Sequence, residues 1–215
     1  ASYDGEWKND MKNGHGVFRW ADGSKYDGEW KDNMRNGKGE YCYSNGDVYF
    51  GQWLNDVPHG KGVYRFKNGD QYDGTYINGK RTGSNEHFTF ANGDRYSGSM
   101  KDGEKQGQGT FFWANGDTYS GLWYADKPNG QGVLTTKAGD VVRGNFKDGQ
   151  PDGMCEGHLS DGSSFRAEFR NGQRHGKAVE IDKDLIPVLN VVMTGHENFR
   201  LIHADILKTD IAAIA

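Results

Sequence analysis

Residues 26–48 read YDGEWKDNMRNGKGEYCYSNGDV, and residues 49–71 repeat the phrase as YFGQWLNDVPHGKGVYRFKNGDQ. The same phrase recurs through most of the 215 residues, with one extra residue between Gly83 and Gly93. Its units begin at Tyr3, Tyr26, Tyr49, Tyr72, Tyr96, Tyr119, Val142 and Phe165. Such regular repetition indicates an array whose units bury surface only against their neighbours.

Two alternating patterns within each unit predict β-strands. In the first pattern, Tyr26, Gly28 and Trp30 share one parity, and acidic residues take the other. In the second pattern, glycines and the aromatic residues Tyr41 and Tyr43 again share one parity. A period of two is typical of strands, because successive side chains point to opposite faces of a sheet. Asn-Gly and Asp-Gly pairs at the unit ends connect antiparallel strands, so each unit is predicted to be a hairpin.

This unit closely resembles the MORN repeat, and the resemblance covers residues 1 to about 178. It implies a mainly β fold, in which about eight hairpins form one elongated, twisted antiparallel sheet. It also implies a scaffold for proteins or membrane lipids, and no catalytic residue. Met100 departs from the pattern by replacing the Trp of the fifth unit. We expect a repeat array over residues 1–178 and a separate segment over residues 179–215.

Composition favours a thin array over a thick globular core. Hydrophobic residues make up 34% of the chain, mean hydropathy is −0.90, and 33 residues are glycine. The apolar material is aromatic and periodic, so we expect rings to stack along one face of the sheet. The rings proposed as a partner-binding strip are Tyr26, Trp30, Tyr49, Trp53, Tyr72 and Tyr76. The alternative is that these rings only pack the units together.

The charge pattern argues against nucleic acid as a partner. The formal net charge is −4, and no polybasic run occurs. Phosphate-rich partners are bound through clustered Lys and Arg. A protein or peptide partner is therefore expected, and an anionic lipid stays as an alternative because Lys and Arg alternate with acids at outward positions. With no signal peptide or apolar span in the sequence, we expect a cytoplasmic protein, with a place at the membrane or cytoskeleton as the alternative.

No pattern in the repeats indicates catalysis or metal binding. His, Cys and carboxylate residues show no metal-ligand spacing, and we expect no cofactor. The acids stand at outward strand positions or in turns, where a solvated role is expected. Cys42 has outward parity and Cys155 has inward parity.

After Gly176 the sequence changes character. Short β-type runs at residues 178–182 and 199–203 flank a predicted helix over residues 183–193, which gives a βαβ pattern. The segment resembles part of a bacterial ribosomal RNA adenine dimethyltransferase. By that resemblance, Glu180 would hold the ribose of S-adenosylmethionine and Asp205 would contact its adenine. The glycine-rich loop and the reactive motif of that family are missing from the printed sequence, so neither methylation nor tight cofactor binding is expected. The alternative is a cap on the last repeat.

These patterns together predict a non-catalytic scaffold or protein-interaction module. The alternatives are an accessory region of an enzyme, such as a lipid kinase or a methyltransferase, and a peripheral phosphoinositide-binding module. An open sheet leaves an unpaired edge, so the strand around Tyr3 to Trp7 is the expected contact of a homodimer.

Overall fold

The computed structural model describes residues 1–175 and the backbone of residues 179–180, 189–194 and 198–203. These residues form β-strands and turns and include no α-helix. The prediction of a mainly β, antiparallel chain of hairpins is confirmed for them. The chain divides into two compact units, Ala1–Glu104 and Lys105–Ala215, which are described separately.

The first unit is an antiparallel meander of ten strands. They are β1 (Ser2–Lys8), β2 (Met11–Arg19), β3 (Lys25–Lys31), β4 (Met34–Cys42), β5 (Val48–Leu54), β6 (Val57–Arg65), β7 (Gln71–Ile77), β8 (Lys80–Arg81), β9 (Gly83–Thr89) and β10 (Arg95–Lys101). Each strand pairs with the next along the chain, except that β7 pairs with both β8 and β9.

The second unit continues the same alternation of seven-residue and nine-residue strands. Its strands are β11 (Glu104–Phe112), β12 (Thr118–Tyr124), β13 (Lys127–Thr135), β14 (Val141–Lys147), β15 (Gln150–His158), β16 (Ser164–Arg170), β17 (Gln173–Arg174) and β18 (Val179–Glu180). Each pairs with the next in antiparallel fashion up to β16, which pairs with both β17 and β18.

The turn within each hairpin is shorter than the sequence suggested. Residues 31–37 are turn-forming in composition, yet only Asp32 and Asn33 form the turn, and β4 already begins at Met34. Both turn residues have positive φ, 49° and 69°, which matches the right-handed twist of the flanking strands. Asp and Asn tolerate this backbone region better than other non-glycine residues.

A bulge in the second strand of each hairpin explains the glycine that stands eleven residues after the opening ring. Gly28 pairs with Gly39 whereas Trp30 pairs with Arg35, so the register shifts between them. Gly37 lies in this bulge with φ of 91°, and a Cβ there would meet the carboxylate of Glu29. That carboxylate accepts a hydrogen bond from the backbone N of Lys38 at 3.0 Å. The acid in the first strand therefore stabilises the bulge opposite it.

Aspartates in the loops between hairpins join neighbouring repeats. Asp47 Oδ1 accepts a hydrogen bond from the backbone N of Lys67 at 2.8 Å. Asp70 does the same for Ala91, and Asp117 for Lys137, each at 2.8 Å. Each loop thus fixes the next one along the chain, so stability couples between adjacent units as expected for a linear array.

The fourth repeat breaks the pattern and buries an acid, contrary to the expectation that acids lie in solvent. The extra residue places Glu86 at the inward position that is glycine in regular repeats, and its side chain is only 1% exposed. Its carboxylate accepts hydrogen bonds from Tyr72 Oη and from the backbone N of Thr75, the latter at 2.6 Å. Two donors compensate part of the cost of removing the carboxylate from water.

The tail differs from the βαβ prediction where it is described. Residues 189–193, predicted to be helical, lie in strand β19 (Leu189–Thr194), which pairs antiparallel with β20 (Asn198–His203). The connection between these strands is too short for a crossover helix, which parallel strands require. Residues 183–188 of the predicted helix lie outside the described residues. The β-type run at 199–203 is confirmed as part of β20.

Candidate functional site

The six rings proposed as a partner-binding strip form a buried inner layer instead. None of them exposes more than 5% of its surface: Tyr26 0%, Trp30 5%, Tyr49 0%, Trp53 4%, Tyr72 0% and Tyr76 4%. The expectation of an accessible strip of these rings is therefore wrong. They lie on the predicted face of the sheet, and the second strands of the hairpins place further rings beside them, such as Tyr41, whose centroid lies 6.0 Å from that of Trp53.

Hydrogen bonds and ring contacts hold the inner layer in place. Tyr26 Oη donates to the backbone O of Glu29 at 3.0 Å, and Trp30 Nε1 donates to the backbone O of Gly16 at 2.9 Å. The two rings meet edge to face with centroids 5.1 Å apart, and Tyr26 meets Trp53 of the next repeat at 5.4 Å. Burial raises the pKa of Tyr26 well above its ordinary value, so the phenol remains a donor. This layer is the core of the repeats.

Tyr76 is the exception in this layer. It replaces the Trp of a regular repeat, and its buried hydroxyl has no hydrogen-bond partner among the described residues. Burial raises the pKa of this phenol as well. The ring still packs edge to face against Tyr49, with centroids 5.0 Å apart.

A second row of rings, each only partly exposed, runs through the first unit, and we call it the aromatic ladder. It consists of Phe18, Trp20, Tyr41, Tyr43, Tyr64, Phe66, Phe88 and Phe90. Successive centroids lie 4.5, 5.2, 4.5, 5.7, 4.6, 5.8 and 4.5 Å apart. The ladder is thus a continuous aromatic surface across four repeats, and every ring in it is partly open to solvent.

The strand pattern explains how the sequence builds this ladder. Each repeat supplies two rings from its second strand and the following loop, such as Tyr41 and Tyr43, at the parity of the glycines. A Cβ at Gly39 would overlap Tyr26, so glycine there leaves room for the inner ring. The sequence pattern gave Tyr41 and Tyr43 the parity of the glycines, but the inner rings were the ones proposed as the binding strip. Tyr43 directly precedes the Asn45-Gly46 turn, and this position next to a turn could have indicated a partly exposed ring.

Cations border the ladder on the side away from the loops between hairpins. The Nζ of Lys12 lies 4.9 Å from the ring centroid of Phe18, and the guanidinium carbon of Arg81 lies 5.7 Å from that of Phe88. The guanidinium carbon of Arg35 lies 5.0 Å from the ring centroid of Tyr41, and its Nε lies 3.0 Å from Asp56 Oδ1. Cations so placed are attracted to the faces of the rings.

Carboxylates border the ladder on the loop side. Asp47 Oδ2 accepts a hydrogen bond from Tyr64 Oη at 2.8 Å. The backbone N–H of Lys67 and the side-chain donors of Asn45 and Tyr64 hold the pKa of Asp47 below its ordinary value. Asp70 and Asp94 occupy the same place in the next two loops.

The second unit has no comparable ladder among its described residues. Phe111 and Trp113 form one ring pair with centroids 4.9 Å apart. The corresponding places of the following repeats hold Leu134, Thr136 and Leu159, all buried. Among the described residues, the row of eight partly exposed rings is therefore a feature of the first unit.

Other kinds of site find less support in the described residues. These residues contain no group of three or more His, Cys, Asp or Glu side chains that could hold a metal ion. They also contain no helix with the length and apolarity needed to cross a membrane. Glu180 pairs with Phe165 in the last hairpin, as Tyr41 pairs with Tyr26, and its side chain is not described. Asp205 lies outside the described residues, so both cofactor-type roles stay predictions.

Comparison with solved structures gives only distant similarities. The TCP domain of SAS-4 from Drosophila melanogaster, in complex with a proline-rich motif of Ana2, has 13% identity and a TM-score of 0.44, over 76% of this chain and 84% of that chain. The TCP10c domain of Drosophila melanogaster Sas-4 has 14% identity and a TM-score of 0.36, over 73% of this chain and 93% of that chain. These scores are too low to transfer a function.

Comparison with protein families gives a specific result, whereas no sequence of curated function matches the chain. The family described as MORN repeat matches residues 3–25, 26–48, 49–71, 72–84, 96–118, 119–141, 143–164 and 165–184. The shortened fourth match ends at residue 84, two residues before the buried Glu86 of the irregular repeat. The chain therefore belongs to the MORN-repeat family.

Proposed function

We propose that this chain is a non-catalytic protein-interaction module whose aromatic ladder binds a peptide segment of a partner protein. The observation that carries the proposal is the continuous row of eight partly exposed rings in the first unit. Large rings at the surface supply most of the energy of many interfaces, because they bury much area with little loss of side-chain freedom.

The role of the inner rings is to support this surface. Tyr26, Tyr49 and Tyr72 are fully buried and hydrogen-bonded to their own strands, so they form a fixed support beside the rings of the ladder. A rigid platform reduces the ordering cost of binding, since few side chains need to be immobilised. The module therefore uses its core to preorganise its binding surface.

Selection of peptides from a random display library tests the proposal. The full chain is expected to enrich peptides whose binding is lost in the double variant Tyr43→Ala and Phe66→Ala. The matched control is Phe50→Ala, because Phe50 is also an exposed ring, at 54%, but has outward parity. The proposal is overturned if the double variant still binds the enriched peptides, or if the folded wild-type chain enriches no peptide.

The edge of the first unit offers a second, independent contact. Strand β1 pairs with β2 on one side, and the described residues of this unit provide no strand for its other side. Trp7 on this strand is 59% exposed. Backbone groups of an open edge readily pair with another chain, so we propose a homodimer through β1. Light scattering tests it: a monomer at high concentration would contradict edge pairing, and Trp7→Lys should weaken any dimer.

A further inference from the structure

We infer that the aromatic ladder binds a proline-rich segment in the polyproline II conformation, at least about nine residues long and running across the strands. This inference rests on the proposed function, since it names the class of peptide that the same surface takes. Three observations carry it: the spacing of the ladder, its unused hydrogen-bond donors and its balanced charge.

The ladder has nearly the same period as a polyproline II helix. Each repeat contributes two strands, so equivalent rings such as Tyr43 and Phe66 recur at about 9.6 Å. A polyproline II helix has three residues per turn and rises about 9.3 Å in that turn. Every third residue of such a segment would therefore meet an equivalent ring. Three repeat steps, from Trp20 to Phe90, span about 29 Å, so a segment that meets the equivalent ring of all four repeats has at least about nine residues.

Other regular peptides do not match this period. Two turns of an α-helix rise about 10.8 Å, so its contacts would drift by more than 1 Å per repeat. Same-face residues of an extended strand recur at about 6.6 Å, so they would meet equivalent rings only at alternate repeats. The twist of the sheet also favours a slender ligand that can follow it. The spacing therefore favours a polyproline II segment over a helix or a strand.

Two donors on the ladder are free to bind backbone carbonyls. Within the described residues, neither Trp20 Nε1 nor Tyr43 Oη donates a hydrogen bond to the protein. Burial raises the pKa of Tyr43, so its hydroxyl keeps the proton. A polyproline II segment has no internal hydrogen bonds, and its carbonyls are open to donors of this kind.

The charges around the ladder favour a neutral ligand. Lys12, Arg35 and Arg81 border one side, and Asp47, Asp70 and Asp94 border the other. The three cations and three carboxylates oppose one another, and Arg35 is further neutralised by Asp56. A polyanionic lipid headgroup or an acidic peptide would be attracted by the row of cations and repelled by the row of carboxylates. The charges thus favour an uncharged segment.

Fluorescence anisotropy with labelled oligoprolines of three, six, nine and twelve residues tests the inference on the full chain. Affinity should rise with length from three to nine residues. Tyr43→Ala should weaken the binding of the nine-residue peptide at least about tenfold. Trp20→Phe and Tyr43→Phe, which keep the rings, should each weaken it about fivefold by removing one donor. Phe50→Ala and a nine-residue Gly-Ser peptide serve as the variant and ligand controls.

The outcomes separate this inference from the proposed function. If the nine-residue oligoproline binds no better than the three-residue one, or binds Tyr43→Ala equally well, the inference is overturned. If display peptides bind the ladder as helices or strands while oligoproline does not, the proposed function stands and the inference fails. Ladder-dependent binding to vesicles of phosphatidylcholine with phosphatidylinositol 4,5-bisphosphate, without oligoproline binding, would also overturn it. Circular dichroism of each variant establishes that a loss of binding is not a loss of fold.

Discussion

Alanine at Gly39 should destabilise the repeats because it places a methyl group within the space of a buried ring. An added Cβ would overlap Oη and Cζ of Tyr26, which is 0% exposed. The Tyr26 ring cannot move freely, since its hydroxyl donates to Glu29 O at 3.0 Å and its edge meets Trp53 at a centroid distance of 5.4 Å. The methyl group therefore either strains the packing or displaces the ring.

The size of the effect follows from these contacts. Overpacking a well-packed core costs about 1–3 kcal/mol, and a lost hydrogen bond of the Tyr26 hydroxyl costs about 1 kcal/mol. Gly39 does not have a positive φ, so no backbone penalty is added. We expect Gly39→Ala to lower the free energy of unfolding by about 3 kcal/mol.

Gly23→Ala serves as the comparison for an alanine that adds a backbone cost but no overlap. Gly23 has φ of 90° and nothing within 4 Å of an added Cβ, so its substitution should cost about 1–2 kcal/mol from conformation alone. Adding Tyr26→Phe to Gly39→Ala removes the nearest overlapping atom. The two changes should then be non-additive, with the double variant at least about 1 kcal/mol more stable than the sum of the single variants predicts.

Urea unfolding followed by circular dichroism and by tryptophan fluorescence measures these differences. A repeat array can unfold in more than one step, so coincident transitions are required before free energies are compared. If Gly39→Ala costs no more than Gly23→Ala, or if Tyr26→Phe adds its full cost to Gly39→Ala, the packing argument is refuted.

Three further predictions concern single side chains. The pKa of Asp47 is lowered in the folded chain, so its ionised carboxylate stabilises the fold fully above pH 3.8, and this contribution is lost as the pH falls below that value. The melting temperature of Asp47→Asn should therefore fall less on acidification than that of the wild type. Cys155 is 0% exposed, and burial raises the pKa of its thiol to about 11. Maleimide should therefore modify the partly exposed Cys42 before Cys155 in the folded chain, and mass spectrometry would identify the modified residue. Tyr76→Phe removes a buried hydroxyl that has no described partner, so the free energy of unfolding should stay unchanged or rise by up to about 1 kcal/mol. If Tyr76→Phe lowers the free energy of unfolding as much as Tyr26→Phe does, this prediction is contradicted.

The six rings that the sequence suggested as a binding strip are buried, and the proposed ladder lies beside them. Alternation in the sequence assigns Tyr26 and Tyr43 to the same side of the sheet. It does not show which ring is buried, because burial depends on how paired strands bring side chains together. Tyr26 pairs with Tyr41 across the hairpin and is fully buried, whereas Tyr43 at the loop keeps part of its surface. Depth within a layer of rings is therefore a tertiary property.

Local signals in the sequence determined the hairpins, their antiparallel order and the inward side of each strand. The period of two sets the faces, and residues that accept positive φ set the turns, so these features depend on neighbours along the chain. The inward parity of Cys155 is confirmed by its complete burial.

Only the tertiary structure decided which groups are buried, paired or left open. Glu86 belongs to a residue type usually found in solvent, yet the extra residue of the fourth repeat turns it inward against Tyr72. Residues 189–193 read as a helix, but pairing with β20 makes them a strand. The ladder itself arises because rings from successive repeats meet only after the strands have paired. Each of these outcomes depends on contacts between residues that are distant in the sequence, which local patterns do not encode.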